Sequence, residues 1–244
     1  MATMRVLQGR RTLVTGAGSD IGSAVCGALT ELGATVVATD LPGPRLDAVA
    51  RMPGVSEIWP ADVCDLPATS MLGADPFDVL VCVAGLVDVS RFVDSDPSRW
   101  DALWRVNLRA PIALSHVLVG SMCERRWGRI VFISSESARA GAGGEAVYAA
   151  TKAGLLGFGK SLAREVAAAG VTVNVVSPGV IDTERSRAIL DAHGGMRDAL
   201  LRAIPARTFG EPADIAAAVA YLCVPAARYV TGQTLSVNGG ITMV

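Results

Sequence analysis

Residues 12–22 read TLVTGAGSDIG, and this stretch decides which fold the rest of the chain builds. Thr12–Thr15 has the β-branched, apolar composition of a buried strand, and a helical period begins at Ile21. Glycines in the turn between them allow a tight bend and let a pyrophosphate approach the free N–H groups of the helix. The predicted pyrophosphate turn comprises Gly16, Gly18, Ser19, Asp20, Ile21 and Gly22. The alternative is a plain strand-to-helix turn, and a downstream α/β pattern argues against it.

Such a pattern follows. Further β-branched runs recur at intervals too long for hairpins: Thr35–Thr39, Val55–Trp59, Val79–Val83, Ile130–Ser134, Val171–Val176 and Leu235–Val237. Amphipathic stretches lie between most of them: Ile21–Leu32, Trp100–Trp127, Ala146–Ala169 and Ala213–Leu222. Alternating strands and helices predict a parallel sheet covered on both faces, in one doubly wound α/β domain spanning residues 1–244. The polar segment 182–212, called the flap below, is expected to form short helices over the ligand cleft.

Composition excludes several classes of protein. The 244 residues are 51% hydrophobic with a net charge of -1, which favours a large core and gives no support for nucleic-acid binding. We expect no membrane span and no signal peptide, and therefore a cytoplasmic protein. Five scattered cysteines predict reduced thiols, and two histidines make a metal site or a serine–histidine triad improbable.

Asp40 ends the second predicted strand. A carboxylate at this position can accept hydrogen bonds from the ribose hydroxyls of an adenosine and repels a 2′-phosphate. The next residue is Leu41, and no lysine or arginine stands beside it. The sequence therefore predicts NAD(H), with NADP(H) less favoured, unless Asp40 only forms a turn before LPGP.

Two smaller signals follow the next strands. Asp62 and Val63 come after the third strand, where they could border the adenine. Ala84 and Gly85 end the fourth strand, and their small size lets the backbone approach the adenosine ribose.

Tyr148 and Lys152 lie four residues apart in AVYAATKAGLLGFGKSLA, residues 146–163. The helical period places both on one face, about one turn apart. A neighbouring ammonium is expected to lower the pKa of the phenol from its usual ~10 toward neutrality, where it can exchange protons. Taken alone, the pair could equally be an aromatic at a helix edge beside a solvated lysine.

In this context the chain resembles the short-chain dehydrogenase/reductase family over nearly its whole length. The resemblance is carried by TGAGSDIG, Asp40, DV at Asp62, AG at Ala84, VNL around Asn107, SS ending at Ser135, YAATK, VNVVSPGVIDT and TGQTLSVNGG. It implies a single Rossmann domain with a seven-stranded parallel sheet.

The resemblance also implies roles for individual residues. Tyr148 would exchange a proton with the substrate oxygen, Ser135 would orient that oxygen, and Lys152 would assist Tyr148 and bind nicotinamide ribose. Asn107 would hold a water that links Lys152 to solvent. Pro178 and Gly179 would shape the loop against nicotinamide, and Ile181 and Thr183 would contact its carboxamide.

Two positions depart from the family pattern. Asp20 stands where the family usually has glycine, and we expect it to cap the first helix. Cys82 and Val83 replace the usual Asn-Asn, so two amides that make structural hydrogen bonds are missing. The backbone contacts of Ala84 and Gly85 should survive this change.

The function indicated is an NAD(H)-dependent oxidoreductase that interconverts a secondary alcohol and a ketone. An NADPH-dependent 3-oxoacyl-carrier-protein or acyl-CoA reductase stays open, as does a catalytically silent dinucleotide sensor. A methyltransferase on a similar fold is disfavoured by the Ser–Tyr–Lys arrangement. Flap cations Arg185, Arg187 and Arg197 could attract an anionic substrate group or simply be solvated. The resemblance further implies a homotetramer.

Overall fold

The fold is a seven-stranded parallel sheet, seen in a computed structural model that describes residues 5–65, 76–192 and 194–244. The strands lie in the order β3-β2-β1-β4-β5-β6-β7. Their bounds are β1 Arg11–Thr15, β2 Thr35–Asp40, β3 Val55–Pro60, β4 Val79–Cys82, β5 Gly128–Ile133, β6 Val171–Pro178 and β7 Thr234–Val237. The predicted Rossmann sheet is confirmed.

The helices cover both faces of this sheet. Their bounds are α1 Asp20–Glu31, α2 Pro44–Ala50, α3 Trp100–Trp104, α4 Ala110–Glu124, α5 Ser137–Ala140, α6 Ala146–Val166, α7 Glu184–Asp191, α8 Met196–Ala203 and α9 Pro212–Cys223. Successive strand residues face opposite sides, so Val14 packs in the core beneath α1 and α9 while Leu13 packs in the core beneath α4 and α6. Leu46 and Val49 of α2 join the first of these cores, and each face is therefore buried by helices.

The strand order reverses beside β1, and this reversal creates a ligand crevice. β1 pairs with β2 on one side and with β4 on the other, with Thr15 in register with both Thr39 and Cys82. Loops leaving the carboxyl ends of these strands separate to opposite faces, which opens a cleft at that edge.

The long helix before β5 differs from its prediction. It was expected to run unbroken over Trp100–Trp127, but a π-helical turn at Arg105–Arg109 separates α3 from α4, and α4 ends at Glu124. By length and composition alone, Pro97–Glu124 could cross a membrane. Leu114, Leu118 and Met122 are instead buried against the sheet, as in the core helix of a globular domain.

The remaining differences lie in short elements. α2 was not anticipated, because Pro42 and Pro44 read as a turn; Pro44 in fact starts the helix, where its missing N–H does no harm. In the flap, α7 and α8 are the expected short helices. His193, one of the two histidines, lies outside the described residues.

Candidate active site and cofactor cleft

The glycine turn leaves no room for side chains. A Cβ on Gly16, whose φ is 66°, would lie 2.5 Å from the backbone nitrogen of Ala84, and one on Gly22 would lie 2.0 Å from the carbonyl oxygen of Gly16. The bare backbone ahead of α1 is therefore open to a close ligand, as the pyrophosphate assignment requires.

Asp20 does not cap α1, so that prediction was wrong. Ser19 is the cap, because its Oγ accepts a 3.0 Å hydrogen bond from the backbone N–H of Gly22. With the cap position taken, Asp20 begins the helix, and its side chain reaches across the cleft. Asp20 Oδ2 accepts a 2.7 Å hydrogen bond from the backbone N–H of Glu184, the first residue of α7.

Arg45 completes a cluster at this point. Its guanidinium lies 3.7 Å from Asp20 Oδ1 and pairs with the Glu184 carboxylate. Asp20, Arg45 and Glu184 form what we call the rim cluster. It joins the pyrophosphate turn, the start of α2 and the start of the flap helix α7. Arg45 was not predicted from the sequence, because it lies five residues after Asp40 rather than next to it.

Asp40 lies at the predicted place. It ends β2, and its carboxylate accepts hydrogen bonds from the backbone N–H groups of Gly18 at 2.9 Å and Leu41 at 2.8 Å. A Cβ on Gly18 would lie 3.1 Å from Asp40 Oδ2 and 3.2 Å from Arg45 Cβ. The glycine turn and the Asp40 carboxylate therefore form one continuous wall of the cofactor cleft.

The adenine-side residues sit along the same edge. Asp62 is exposed and accepts a 2.8 Å hydrogen bond from the backbone N–H of Cys64, while Val63 packs against the core. The Ala84 N–H donates to Thr15 Oγ1 at 3.3 Å.

Asn107 is fully buried in the π-helical turn. Its Oδ1 accepts from the Leu86 N–H at 2.8 Å, and its Nδ2 donates to the Leu86 carbonyl at 2.9 Å and to Thr151 Oγ1 at 3.1 Å. Asn107 therefore ties the chain after β4 to α6. π-helical turns often occur at functional positions, and this one widens the helix where Asn107 is required.

Lys152 lies beneath this link. It is buried, and its Nζ donates a 2.8 Å hydrogen bond to the Ile133 carbonyl. Burial lowers the pKa of Lys152 to about 8. A Cβ on Gly85 would lie 3.1 Å from Nζ and 3.3 Å from Asn107 Oδ1, so Gly85 packs closely against both groups.

Tyr148 is the end of a chain of polar side chains. It is hydrogen-bonded to Ser135, whose Oγ lies 2.8 Å from Ser137 Oγ, and Ser137 is hydrogen-bonded to Glu145. Burial raises the pKa of Glu145. Ser137 was not singled out from the sequence, although its position two residues after Ser135 on a helical start is a usable signal.

The expected lowering of the Tyr148 pKa by Lys152 is not observed. Burial raises the Tyr148 pKa to about 12; the Ser135 hydrogen bond lowers it, the Glu145 charge raises it, and the Arg185 charge lowers it. Lys152 Nζ lies 6.0 Å from the centroid of the Tyr148 ring and is bonded to a carbonyl instead. In this structure the loss of hydration outweighs the neighbouring cation.

The predicted nicotinamide-side residues run from the end of β6 into the start of the flap. A Cβ on Gly179 would lie 2.8 Å from the Asn238 Cα, so this loop packs tightly against the chain after β7. The Pro178 carbonyl accepts from the Glu136 N–H at 3.0 Å, and the side chain of Ile181 is buried in the core. Thr183 caps α7 in a capping box with Ser186.

The chain as a whole is similar to known proteins. A family model described as Enoyl-(Acyl carrier protein) reductase matches residues 16–242. The chain belongs to the short-chain dehydrogenase/reductase family. The 3-oxoacyl-[acyl-carrier-protein] reductase FabG of Rickettsia prowazekii (strain Madrid E) is 37% identical over 243 residues, 98% of this chain and 99% of that relative.

Solved short-chain dehydrogenase/reductase structures agree. A 3-oxoacyl-[acyl-carrier protein] reductase of Brucella melitensis has a TM-score of 0.91 at 29% identity, covering 100% of this chain and 95% of that chain. A protein of Agrobacterium tumefaciens assigned as a 2-deoxy-D-gluconate 3-dehydrogenase, with bound NADP, has a TM-score of 0.88 at 34% identity, covering 96% and 97%. As a family member, this chain is an oxidoreductase that binds a nucleotide cofactor.

This short-chain dehydrogenase/reductase keeps its fourth strand intact despite Cys82 and Val83. Cys82 is buried in the core, where burial raises the pKa of its thiol to about 12. The Val83 N–H still donates to the Thr15 carbonyl at 3.2 Å. Apolar packing therefore fills the space, and the backbone that leads to Ala84 and Gly85 keeps its hydrogen bonds.

A cavity of about 460 Å³ lies between the chain after β4 and the flap helix α7. Its lining residues are Leu86, Val87, Asp88, Val89, Arg185, Ala188, Ile189 and Ala192. Its volume is that of a small-molecule site. In this short-chain dehydrogenase/reductase it adjoins the position where Asn107 fixes Leu86.

Proposed function

We propose that the protein interconverts a secondary alcohol and a ketone with NAD(H). The observation that supports this most is that Tyr148 is hydrogen-bonded to Ser135 while Lys152, one turn further along α6, lies with Asn107 beside Gly85. Tyr148 and Lys152 come from one turn of α6, Asn107 comes from the π-helical turn, and Ser135 follows the end of β5.

Each side chain has a distinct task in this proposal. A bound nicotinamide would supply the hydride acceptor for oxidation of the carbinol carbon and the hydride donor for reduction of the ketone. Tyr148 takes the hydroxyl proton in oxidation, which leaves the ketone, and Ser135 orients the reacting oxygen by hydrogen bonding. Lys152 holds ribose hydroxyls, and its charge favours the phenolate once its ammonium turns toward Tyr148.

Asn107 acts as a positioning residue, and three of its hydrogen bonds are already used. Oδ1 keeps one acceptor site, which suits the water that would link Lys152 to solvent. Pro178, Gly179, Ile181 and Thr183 would present the backbone that holds the carboxamide. This assignment rests on family resemblance and on their position between the end of β6 and the start of the flap.

Local charge supports NAD(H) over NADP(H). Asp40 shares its wall with the rim cluster, in which two carboxylates outnumber the single guanidinium of Arg45. A 2′-phosphate would therefore meet net negative charge. The similar Agrobacterium structure contains bound NADP, so the preference of this protein between NAD and NADP needs a direct measurement.

That measurement compares wild type with Asp40→Ala. We expect the substitution to shift the ratio of kcat/KM for NAD to kcat/KM for NADP at least ~10-fold toward NADP, because one charge repulsion against the 2′-phosphate is lost. An unchanged ratio would show that Asp40 does not select the cofactor.

A second candidate is an NADPH-dependent 3-oxoacyl-carrier-protein or acyl-CoA reductase. The relatives named for that activity favour it, at 37% identity for the Rickettsia protein. A catalytically silent dinucleotide sensor is disfavoured, because Ser135, Tyr148 and Lys152 are all present.

We further propose that residues 1–244 form one domain with a flap at 182–212. The protein would act on a small-molecule substrate in the cytoplasm, and it would assemble as a homotetramer. All five cysteines are free thiols, which suits a reducing compartment. Exposed apolar side chains on β7 and on the long helix, Leu235, Trp104 and Val117, suit subunit contacts.

The test is a panel of secondary alcohols and ketones assayed with NAD and with NADP through the absorbance of the reduced ring. We expect turnover, and we expect Tyr148→Phe to lower kcat at least ~100-fold while cofactor binding persists. Tyr221→Phe, at an exposed tyrosine on α9, is the matched control. Full activity in Tyr148→Phe would contradict the mechanism, and cofactor binding without turnover of any panel member would favour the sensor.

A further inference from the structure

Arg185 holds an unusual position in the flap. Its Nη1 donates a 3.0 Å hydrogen bond to the Gly85 carbonyl, so the guanidinium reaches from α7 down to the end of β4. Gly85 is the residue wedged against Lys152 Nζ. Arg185 is an exposed residue, and this hydrogen bond holds its guanidinium at Gly85, beside the buried ammonium of Lys152.

The charge of Arg185 also has no carboxylate partner among residues 5–65, 76–192 and 194–244. Of the other flap arginines, Arg187 and Arg197 already have side-chain partners. Arg187 lies 3.6 Å from Asp182 Oδ1, and Arg197 stacks on Phe209 with 5.0 Å between the guanidinium carbon and the ring centroid. One hydrogen bond to a carbonyl leaves most of the Arg185 N–H donors available.

The effect of this charge reaches the reacting groups. The Arg185 guanidinium lowers the pKa of Tyr148 and also lowers the pKa of Lys152. The geometry agrees, because Arg185 is hydrogen-bonded to Gly85 and a Cβ on Gly85 would lie 3.1 Å from Lys152 Nζ.

The walls of the cavity indicate the rest of the ligand. Its sides are mainly apolar, from Leu86, Val87, Val89 and Ile189. Asp88, the acidic residue in the lining, is paired with Arg99 at 2.9 Å. The cavity thus combines an aliphatic surface with one unmatched positive charge, which suits an aliphatic chain ending in a carboxylate.

We propose that Arg185 binds the carboxylate of a small aliphatic hydroxy or oxo acid and so determines substrate class. The proposal rests on the function proposed above, and the carboxylate itself takes no part in the redox step. The planar guanidinium matches a carboxylate through two parallel hydrogen bonds, which a lysine does not reproduce.

The experiment uses the enzyme with its cofactor and a series of short 3-oxo acids, each paired with its methyl ester. The variants are Arg185→Met and Arg185→Lys. The control is Arg187→Met, two residues further along α7. We expect the wild type to prefer each acid over its ester. Arg185→Met should lower kcat/KM for the acids ~10- to 100-fold relative to the esters, the usual effect of a charge-assisted hydrogen bond. Arg185→Lys should recover part of that preference, and Arg187→Met should keep it.

Comparing acid with ester cancels effects that Arg185 exerts on Tyr148 and Lys152, since these alter both substrates equally. Equal losses for acids and esters would overturn the inference, as would a raised KM for the cofactor alone, which would assign Arg185 to the pyrophosphate. Turnover of neutral alcohols without turnover of any acid would also overturn it. Inactivity toward acids, esters and neutral alcohols together would instead count against the proposed function.

Discussion

At the scale of single residues, the identities and spacing of the proposed catalytic groups could be read from the sequence, but their electrostatics could not. The helical period places Tyr148 one turn from Lys152 whatever the rest of the chain does. The pKa values depend on burial by distant segments: the fifth strand supplies the Ile133 carbonyl to Lys152, and the flap supplies the charge of Arg185. No local pattern contains that information.

Lys152 therefore carries a stability penalty that can be measured. Burial lowers its pKa from 10.5 to about 8, so protonated Lys152 disfavours the folded state at neutral pH. We expect Lys152→Met to abolish most activity yet raise the free energy of unfolding at pH 7 by about 1–2 kcal/mol. This is the desolvation effect less the loss from leaving the Ile133 carbonyl without its donor. Denaturant unfolding of wild type and variant measures it.

The pH dependence gives that prediction its sign. A lysine whose pKa is lower in the folded than in the unfolded protein destabilises the folded state. This destabilisation is complete below the folded-state pKa, and it disappears as pH rises through about 8 toward 10.5. The advantage of Lys152→Met should therefore shrink between pH 7 and pH ~10. Lys160→Met, at an exposed lysine on the same helix, should show no such change. A variant less stable than wild type at pH 7 would contradict the penalty.

At the scale of elements, strands and long helices follow from hydrophobic periodicity, whereas contacts between element ends do not. All seven strands were anticipated, because their apolar runs are long enough to outweigh alternatives. The π-helical turn at Arg105–Arg109 was not, since it arises from fitting Asn107 between Leu86 and Thr151 rather than from any local preference. Asp20 is a similar case: Ser19 was equally suited to cap α1, and only the folded flap shows which one does.

The rim cluster predicts that Asp20 stabilises the start of α7. Asp20→Ala removes the acceptor of the Glu184 N–H, and we expect hydrogen exchange in the first turn of α7 to accelerate about 3- to 10-fold, the effect of one lost hydrogen bond. Catalysis should persist, because Asp20 touches none of the reacting groups. Exchange measured by mass spectrometry on flap peptides tests this.

One further variant separates charge from hydrogen bonding in that cluster, and a second variant outside it serves as a control. Asp20→Asn keeps an acceptor oxygen and should show an intermediate exchange rate, while Asp198→Ala on α8 is the control at an exposed carboxylate. Unchanged exchange in Asp20→Ala would mean that the Asp20–Glu184 contact does not hold the flap. Loss of cofactor binding in the same variant would assign Asp20 to the pyrophosphate instead.

At the scale of the whole molecule, β7 ends the sheet, because in the described part of the chain it pairs only with β6. An unprotected edge strand invites pairing with another chain, and proteins usually cover it. Leu235 on this strand is 37% exposed, and Tyr229, six residues earlier in the chain, is 93% exposed. Both features support the proposed homotetramer, in which a second copy of the chain would pack against this edge in one of two two-fold interfaces.

We therefore expect the protein to be a tetramer in solution and Leu235→Arg to reduce its mass to that of a dimer. A two-fold interface places the new charge against its own symmetry copy, so one substitution introduces two like charges into a buried contact. Light scattering after size-exclusion chromatography measures the mass, and Val93→Arg, at a 77% exposed residue outside β7, should leave it unchanged. A wild-type monomer, or a tetramer that persists in Leu235→Arg, would show that this edge is protected in some other way. Because the proposed active site draws on α6 and the flap but not on β7, a dimeric Leu235→Arg variant should keep measurable turnover, which separates assembly from chemistry.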